Sequence, residues 1–268
     1  MKIGFLITAR LKSSRLKYKL LKELNGATVI ERVIERSKKV DNCDYIILCT
    51  SEKNQDLPLV QTALNNNIFY FNGDADDVLD RLLKAAELFG LDHIICMTAD
   101  NPLFSIRYAN QISDSLKTDP SIDFIYTSSF PVGLNPYAVS SKALKTICLI
   151  KEEIDTEIWG PLINRPEIFN VQELPVSEID LINIERVTLD EQKDYEFLCE
   201  IFQNFPKDYL IQEQDLKKLL ASNPELSKIN SSVVQRTLDQ KTLKRIDDFF
   251  KNNVDKILNI KNEDYKNN

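Results

Sequence analysis

The stretch Ile3-Gly4-Phe5-Leu6-Ile7-Thr8-Ala9-Arg10-Leu11-Lys12-Ser13-Ser14-Arg15-Leu16-Lys17-Tyr18-Lys19 joins two contrasting compositions. Ile3 to Thr8 is a continuous apolar, β-branched run, the pattern of a strand buried on both faces. Ala9 to Lys19 holds five basic residues and no acid. In a parallel sheet such a connection lies beyond the carboxyl end of its strand, where open α/β folds bind ligands. Arg offers forked donors to phosphate oxygens, Lys a mobile point charge, and Ser13 and Ser14 hydroxyl donors. A basic loop is often only a solvated surface. Here its place directly after the first strand, and its contrast with a net charge of −7, favour phosphate binding.

Working outward, strand-like and helix-like segments alternate. Strands are predicted at Tyr45–Thr50, Ile68–Phe71, His93–Thr98 and Phe124–Thr127. Between them lie helical patterns at Thr28–Val40, Leu57–Asn65, Val78–Phe89 (closed by Gly90) and Ile106–Leu116. This order implies an α/β fold with a mainly parallel sheet covered by helices on both faces. Further on, Ser141–Lys151 and Gln192–Phe205 read as helices, and Phe169–Leu174 and Arg186–Leu189 as strands. Residues 206–268 carry many charges and Asn but no glycine, with helical stretches at Gln214–Leu220 and Gln240–Phe250. They are expected to form a helical C-terminal appendage with a frayed end.

Composition removes several classes. The chain's 268 residues allow a sizeable core. With only six glycines there is no G-x-x-x-x-G-K-[ST] and no G-x-G-x-x-G, so any phosphate site is built without a Walker loop or a Rossmann turn. One histidine, His93, excludes His-rich zinc sites. Five widely spaced cysteines without C-x-x-C point to a reducing, cytoplasmic setting rather than a disulfide framework. No apolar run approaches a membrane span, and Met1–Ile7 is too short for a signal peptide. The acidic balance argues against nucleic acid as a partner.

Two acids recur at predicted strand ends: Asp100 in Thr98-Ala99-Asp100-Asn101-Pro102-Leu103, and Asp190 in Val187-Thr188-Leu189-Asp190-Glu191. Each has a plain alternative as a helix N-cap. Together with the basic loop they point to a Mg²⁺–triphosphate site, since Mg²⁺ takes one or two carboxylates plus phosphate and water oxygens.

At this point the motifs resemble those of the CTP-dependent cytidylyltransferases, most closely the spore coat polysaccharide biosynthesis branch. CMP-3-deoxy-manno-octulosonate synthetase and acylneuraminate cytidylyltransferase are wider relatives. The loop Ala9-Arg10-x-x-Ser13-Ser14-Arg15-Leu16-x-x-Lys19 resembles the family signature. Cys49-Thr50-Ser51 resembles its Ala-Thr-Ser, and Gly73 to Arg81 its Gly-x-x-x-Asp-Val-Leu-x-Arg. Thr98–Leu103 resembles Thr-Gly-Asp-x-Pro-Leu, and Arg186–Glu191 resembles Arg-Leu-Thr-Val-Asp-Thr. The resemblance implies a Rossmann-like nucleotidyltransferase domain over 1–205 and CMP transfer from CTP to a sugar-type acceptor, free or phosphorylated, for surface glycans. It implies catalytic Arg10, Arg15 and Lys19. Nucleotide contacts would come from Ala9, Arg10, Ser13, Ser14, Arg15, Lys19, Thr50, Gly73, Arg81 and Asp100. Asp100 and Asp190 would hold Mg²⁺, and an extension over about 130–175 would bind acceptor and form a homodimer.

The acceptor half departs from the family. Where relatives carry Gly-Leu-Asp-x-Glu this chain has Gly133-Leu134-Asn135-Pro136-Tyr137, and where they carry Glu-His-x-Thr-Pro it has Glu157-Ile158-Trp159-Gly160-Pro161. Gly133, Asn135, Tyr137, Glu157 and Trp159 are therefore the expected acceptor residues, for an acceptor other than octulosonate or neuraminate. Tyr137 and Trp159 also suit ordinary packing. Lys17 replaces the signature proline, Ala99 a glycine and Glu191 a threonine. Two other functions fit less well: a nucleotidyltransferase using another NTP, whose sugar-phosphate members start with a glycine-rich loop, and a non-catalytic nucleotide-binding subunit.

Overall fold

A computed structural model describes residues 1–266. Its strands are β1 (Ile3–Thr8), β2 (Glu23–Leu24), β3 (Ala27–Thr28), β4 (Tyr45–Ser51), β5 (Phe69–Gly73), β6 (His93–Thr98), β7 (Phe124–Ser128), β8 (Tyr137–Ser140) and β9 (Val171–Pro175). Its helices are α1 (Val29–Ser37), α2 (Leu57–Asn65), α3 (Val78–Phe89), α4 (Ile106–Thr118), α5 (Ser141–Ile150), α6 (Gly160–Ile163), α7 (Gln192–Gln203), α8 (Glu213–Ser222) and α9 (Gln240–Lys266). Of the appendage expected to end frayed, residues 267 and 268 lie outside the described residues.

Seven strands form one sheet in the order β5-β4-β1-β6-β8-β7-β9, and β2 and β3 form a separate hairpin. Every pairing in the large sheet is parallel except the two made by β8. Side chains of β1 alternate between two cores, as period two requires. Ile3, Phe5 and Ile7 pack with α1, α2, α4, α7 and α8, whereas Leu6 packs with α3, α5, α6 and α9. The expected α/β sandwich with helices on both faces is therefore present. So are the C-terminal helices, of which α9 buries Ile246, Phe250 and Ile257 in the second core.

Three local expectations differ. β8 was not expected; it is four residues long and starts straight after Pro136, too short to show a pattern. The strand expected at Phe169–Leu174 runs Val171–Pro175. Arg186–Leu189 is extended but makes only an isolated bridge, Val132 with Arg186. Its backbone bonds go to loops: Val187 N donates to Val132 O (2.7 Å) and Leu189 N to Asp100 O (2.9 Å). Gly133 permits this approach. Its φ is +103°, and a Cβ there would lie 2.7 Å from Thr188 N. Gly133→Ala should therefore cost on the order of 1–3 kcal/mol in thermal unfolding, since backbone cannot yield as a flexible side chain does.

Candidate active site

The carboxyl ends of β1 and β6 lie side by side, with Ala99 N donating to Thr8 O (2.9 Å). The basic loop leaves from this edge. Its apolar residues Leu11, Leu16 and Leu20 are buried while Lys12, Ser14, Arg15 and Lys17 between them are exposed, so the core anchors the loop and leaves its charges outside. Two further anchors sit at its start. Ala9 N donates to Cys49 O (3.0 Å), and Leu11 N to Oδ1 of the fully buried Asp56 (2.7 Å), whose other oxygen accepts from the Ser51 hydroxyl. Asp56 escaped sequence reading, because nothing in its local pattern shows that it faces inward.

The loop borders a cleft of about 360 Å³. At its floor the Lys19 Nζ donates to Asp100 Oδ2 (2.6 Å), Leu189 O (2.7 Å) and Asp190 Oδ1 (3.0 Å). Asp100 Oδ1 accepts from the Thr98 hydroxyl (2.6 Å). Asp190 is also reached by Arg15 (2.8 Å) and by the buried Arg186 (2.8 Å), which in turn pairs with the buried Asp194 (3.1 Å). Neither acid is a helix cap: Glu191 caps α7 and Ser105 caps α4. The capping alternative for Asp100 and Asp190 is thus excluded. Arg186 stands four residues before Asp190 in the quoted motif, a signal the sequence contained.

These contacts set the charges. Burial disfavours the Lys19 ammonium, but Asp100 and Asp190 outweigh it and hold its pKa above 10.5. Burial likewise works against the Asp190 carboxylate, but Lys19, Arg186 and Arg15 overcome it and hold its pKa below 3.8. A lowered carboxylate stabilises the fold above its ordinary value, and that contribution is lost as pH falls through the folded value. A raised ammonium stabilises below its ordinary value, and that is lost as pH rises through the folded value. Thermal melts should therefore show a constant difference between the protein and Lys19→Met from pH 3.8 to 10.5, narrowing outside that window on both sides.

At the other end of the cleft Arg10 donates to Ala75 O and to Asp76 (2.9 Å), and lies 3.5 Å from Glu157. Arg81 is buried and donates to Asp74 O; burial lowers its pKa. The cleft brings together most of the expected nucleotide residues: Ala9, Arg10, Ser13, Ser14, Arg15, Lys19, Arg81 and Asp100. It does not include Thr50 or Gly73. Thr50 is fully buried in β4, and Gly73 ends β5 behind Arg81, where a Cβ would lie 3.0 Å from Arg81 Cγ.

The five expected acceptor residues divide. Glu157 and Trp159 line the cleft. Asn135 and Tyr137 line a neighbouring pocket of about 470 Å³ between β7, β8 and α6. Gly133 sits in the turn against Thr188. The two pockets adjoin through the Tyr137 and Trp159 rings, whose centroids are 5.4 Å apart at 72°. Arg236, from the irregular stretch before α9, also lines the cleft and was not singled out from the sequence.

No group of three or more His, Cys, Asp or Glu among the described residues is placed to hold a metal. Lys19 brings the Asp100 and Asp190 carboxylates together by donating to both. No helix among the described residues is long and apolar enough to cross a membrane.

Comparison with known proteins identifies the family. The family model described as cytidylyltransferase matches residues 5–229. An uncharacterised protein of Methanocaldococcus jannaschii is 32% identical over 241 residues, 88% of this chain and 98% of that protein. The spore coat polysaccharide biosynthesis protein SpsF of Bacillus subtilis is 26% identical over 230 residues, 83% of this chain and 95% of its own. The structure of a cytidylyltransferase from Leptospira borgpetersenii superposes with a TM-score of 0.78 at 26% identity, covering 90% of this chain and 100% of that one. With the family model spanning most of the chain and a relative above 30% identity along nearly its whole length, the chain belongs to the cytidylyltransferase family of nucleotidyltransferase enzymes.

Proposed function

We propose that this enzyme transfers CMP from CTP to a sugar-type acceptor and releases pyrophosphate. The observation that carries the reading is the Lys19 ammonium shared by Asp100 and Asp190, at a sheet edge bordered by a basic loop without glycine. The acceptor oxygen attacks the α-phosphorus in line, the bond from phosphorus to the bridging oxygen breaks, and negative charge collects on pyrophosphate. Arg10, Arg15 and Lys19 neutralise that charge, and the ion pairs that hold them reduce reorganisation during the reaction. Asp190, braced by Arg186, keeps Arg15 and Lys19 aligned.

Charge balance supports a divalent cation. Six cationic side chains and five carboxylates among the described residues line the cleft, so the protein alone leaves most of a triphosphate's charge uncompensated. Asp100 and Asp190 fit Mg²⁺ in donor type, with substrate and water oxygens completing its shell. Bound there, Mg²⁺ would supply charge neutralisation and polarisation of phosphate oxygens. Asp100→Asn should raise the Mg²⁺ concentration for half-maximal activity at least about tenfold. An unchanged metal titration would reduce Asp100 to a partner for Lys19 and Thr98.

The acceptor residues form a different set from the family's, which favours an acceptor other than octulosonate or neuraminate. A homodimer built on the 130–175 extension belongs to the same reading; light scattering at the monomer mass would oppose it. The function is tested by pyrophosphate release in Mg²⁺ from CTP, UTP, ATP and GTP, with sugar acids and sugar phosphates as acceptors. Release from CTP above the others is expected; release from another NTP in preference to CTP would reassign the nucleotide.

A further inference from the structure

Sugar acids and sugar phosphates, the two acceptor classes of the proposed reaction, are anions. Yet Gly133, Asn135, Tyr137, Glu157 and Trp159 include no cation, and Glu157 is itself an acid. The structure supplies the missing charge from a distant part of the chain. Arg236 lines the cleft beside Glu157 and Trp159. Its guanidinium lies 3.6 Å from Glu157 Oε2, the same oxygen that Arg10 reaches at 3.5 Å. One carboxylate oxygen therefore bridges two guanidinium groups at the mouth of the cleft. Both distances are long for a hydrogen bond, so Glu157 holds the pair loosely.

The chain around Arg236 is not a free tail. Asn230 Nδ2 donates to Asp194 Oδ1 (3.0 Å), and Gln235 Oε1 accepts from Arg186 (3.0 Å). Val233 is buried between these two points. Arg186 and Asp194 are the groups that brace Asp190, so the position of Arg236 is tied to the same framework as the cleft floor. Arg236 itself keeps 64% of its side chain exposed, leaving donor edges for a ligand. It lies beyond residue 229, where the match to the family model ends.

We propose that Arg236 binds the anionic group of the acceptor, a carboxylate or a phosphate, and that Glu157 occupies that place until the acceptor arrives. The acceptor's anion exchanges with the Glu157 carboxylate between Arg10 and Arg236, which places the acceptor next to the Trp159 ring. Arg236 is thereby a specificity residue that distinguishes anionic from neutral sugars. This rests on the cytidylyltransferase reading of the cleft.

Trp159 is the only tryptophan, so its emission reports this spot directly. The full chain is titrated, with and without saturating CTP and Mg²⁺, with three probes: inorganic phosphate, gluconate and neutral glucose. Phosphate or gluconate, but not glucose, should change the emission saturably, and whichever responds identifies the source of the anion. Arg236→Ala should weaken that response at least about tenfold, the size of one charge-assisted contact. Arg236→Lys should recover part of it. CTP affinity, measured by calorimetry on the same samples, should change less than about twofold. An equal response in Arg236→Ala, a response to glucose alone, or no anion response in the unaltered protein would each overturn the proposal. Absence of CTP binding would instead defeat the nucleotide reading, and the anion titrations made without CTP would still judge Arg236.

Discussion

Replacing Lys19 with Met should lower turnover at least about a hundredfold while the protein stays folded. The ammonium's three N–H donors are matched to three acceptors at 2.6, 2.7 and 3.0 Å. Methionine keeps much of the stem and its packing but removes every donor. The Asp100 carboxylate is then left with the Thr98 hydroxyl, and it faces Asp190 with no cation between them. Asp190 retains Arg15 and Arg186, so the fold keeps its brace. Because the lost charge acts on developing pyrophosphate, kcat and kcat/KM for CTP should fall together. Lys19→Arg should recover little, since a planar fork cannot meet three acceptors arranged around one point. Steady-state pyrophosphate release alongside circular dichroism checks this. Turnover within about tenfold of normal would remove Lys19 from the mechanism.

The second large effect is on stability, and it arises in the C-terminal helix α9. Deleting residues 240–268 should leave no cooperatively folded protein. Ile246, Phe250 and Ile257 of α9 are each no more than 2% exposed. At about 1.5–3 kcal/mol for each buried side chain their loss alone rivals the stability of a typical domain. The deletion also strips the buried Asp123 of Lys261 (2.7 Å) and of the Tyr265 hydroxyl (2.6 Å), leaving a buried carboxylate without its ion pair. A gentler form of the test is Phe250→Ala, which should cost about 3–5 kcal/mol and lower Tm by roughly 6–20 °C. A truncated chain that melts with unchanged Tm would show α9 to be a detachable appendage.

The parts legible in the sequence share a physical cause. β1, β4 and β6 are largely buried parallel strands that show as continuous apolar runs, and β5, a more exposed edge strand, shows as the short run Ile68–Phe71; α3 announces itself by periodicity and by Gly90 in left-handed conformation at its end (φ +62°). The cleft floor was legible because Arg15, Lys19 and Asp100 stand in the connections that follow β1 and β6, and Asp190 directly follows an extended stretch of strand-like composition. What stayed hidden depends on contacts between distant segments. β8 is specified by its neighbours β6 and β7 rather than by its own four residues. The Arg186–Leu189 stretch has strand composition, but its backbone partners are Val132 and Asp100 in loops. Thr50 matched a family motif although its side chain is buried away from the cleft. Arg236 could not be found at all, because an arginine in an irregular polar stretch carries no local signal until the chain folds back over Glu157.

The central claim is that this cleft binds CTP through the side chains of a loop without glycine. Calorimetric titration of CTP in Mg²⁺ into the unaltered protein and into Arg15→Ala tests it most directly. One CTP per chain is expected, bound more tightly than ATP or UTP and weakened at least about tenfold by Arg15→Ala. No heat with CTP, or an affinity that Arg15→Ala leaves unchanged, would contradict it.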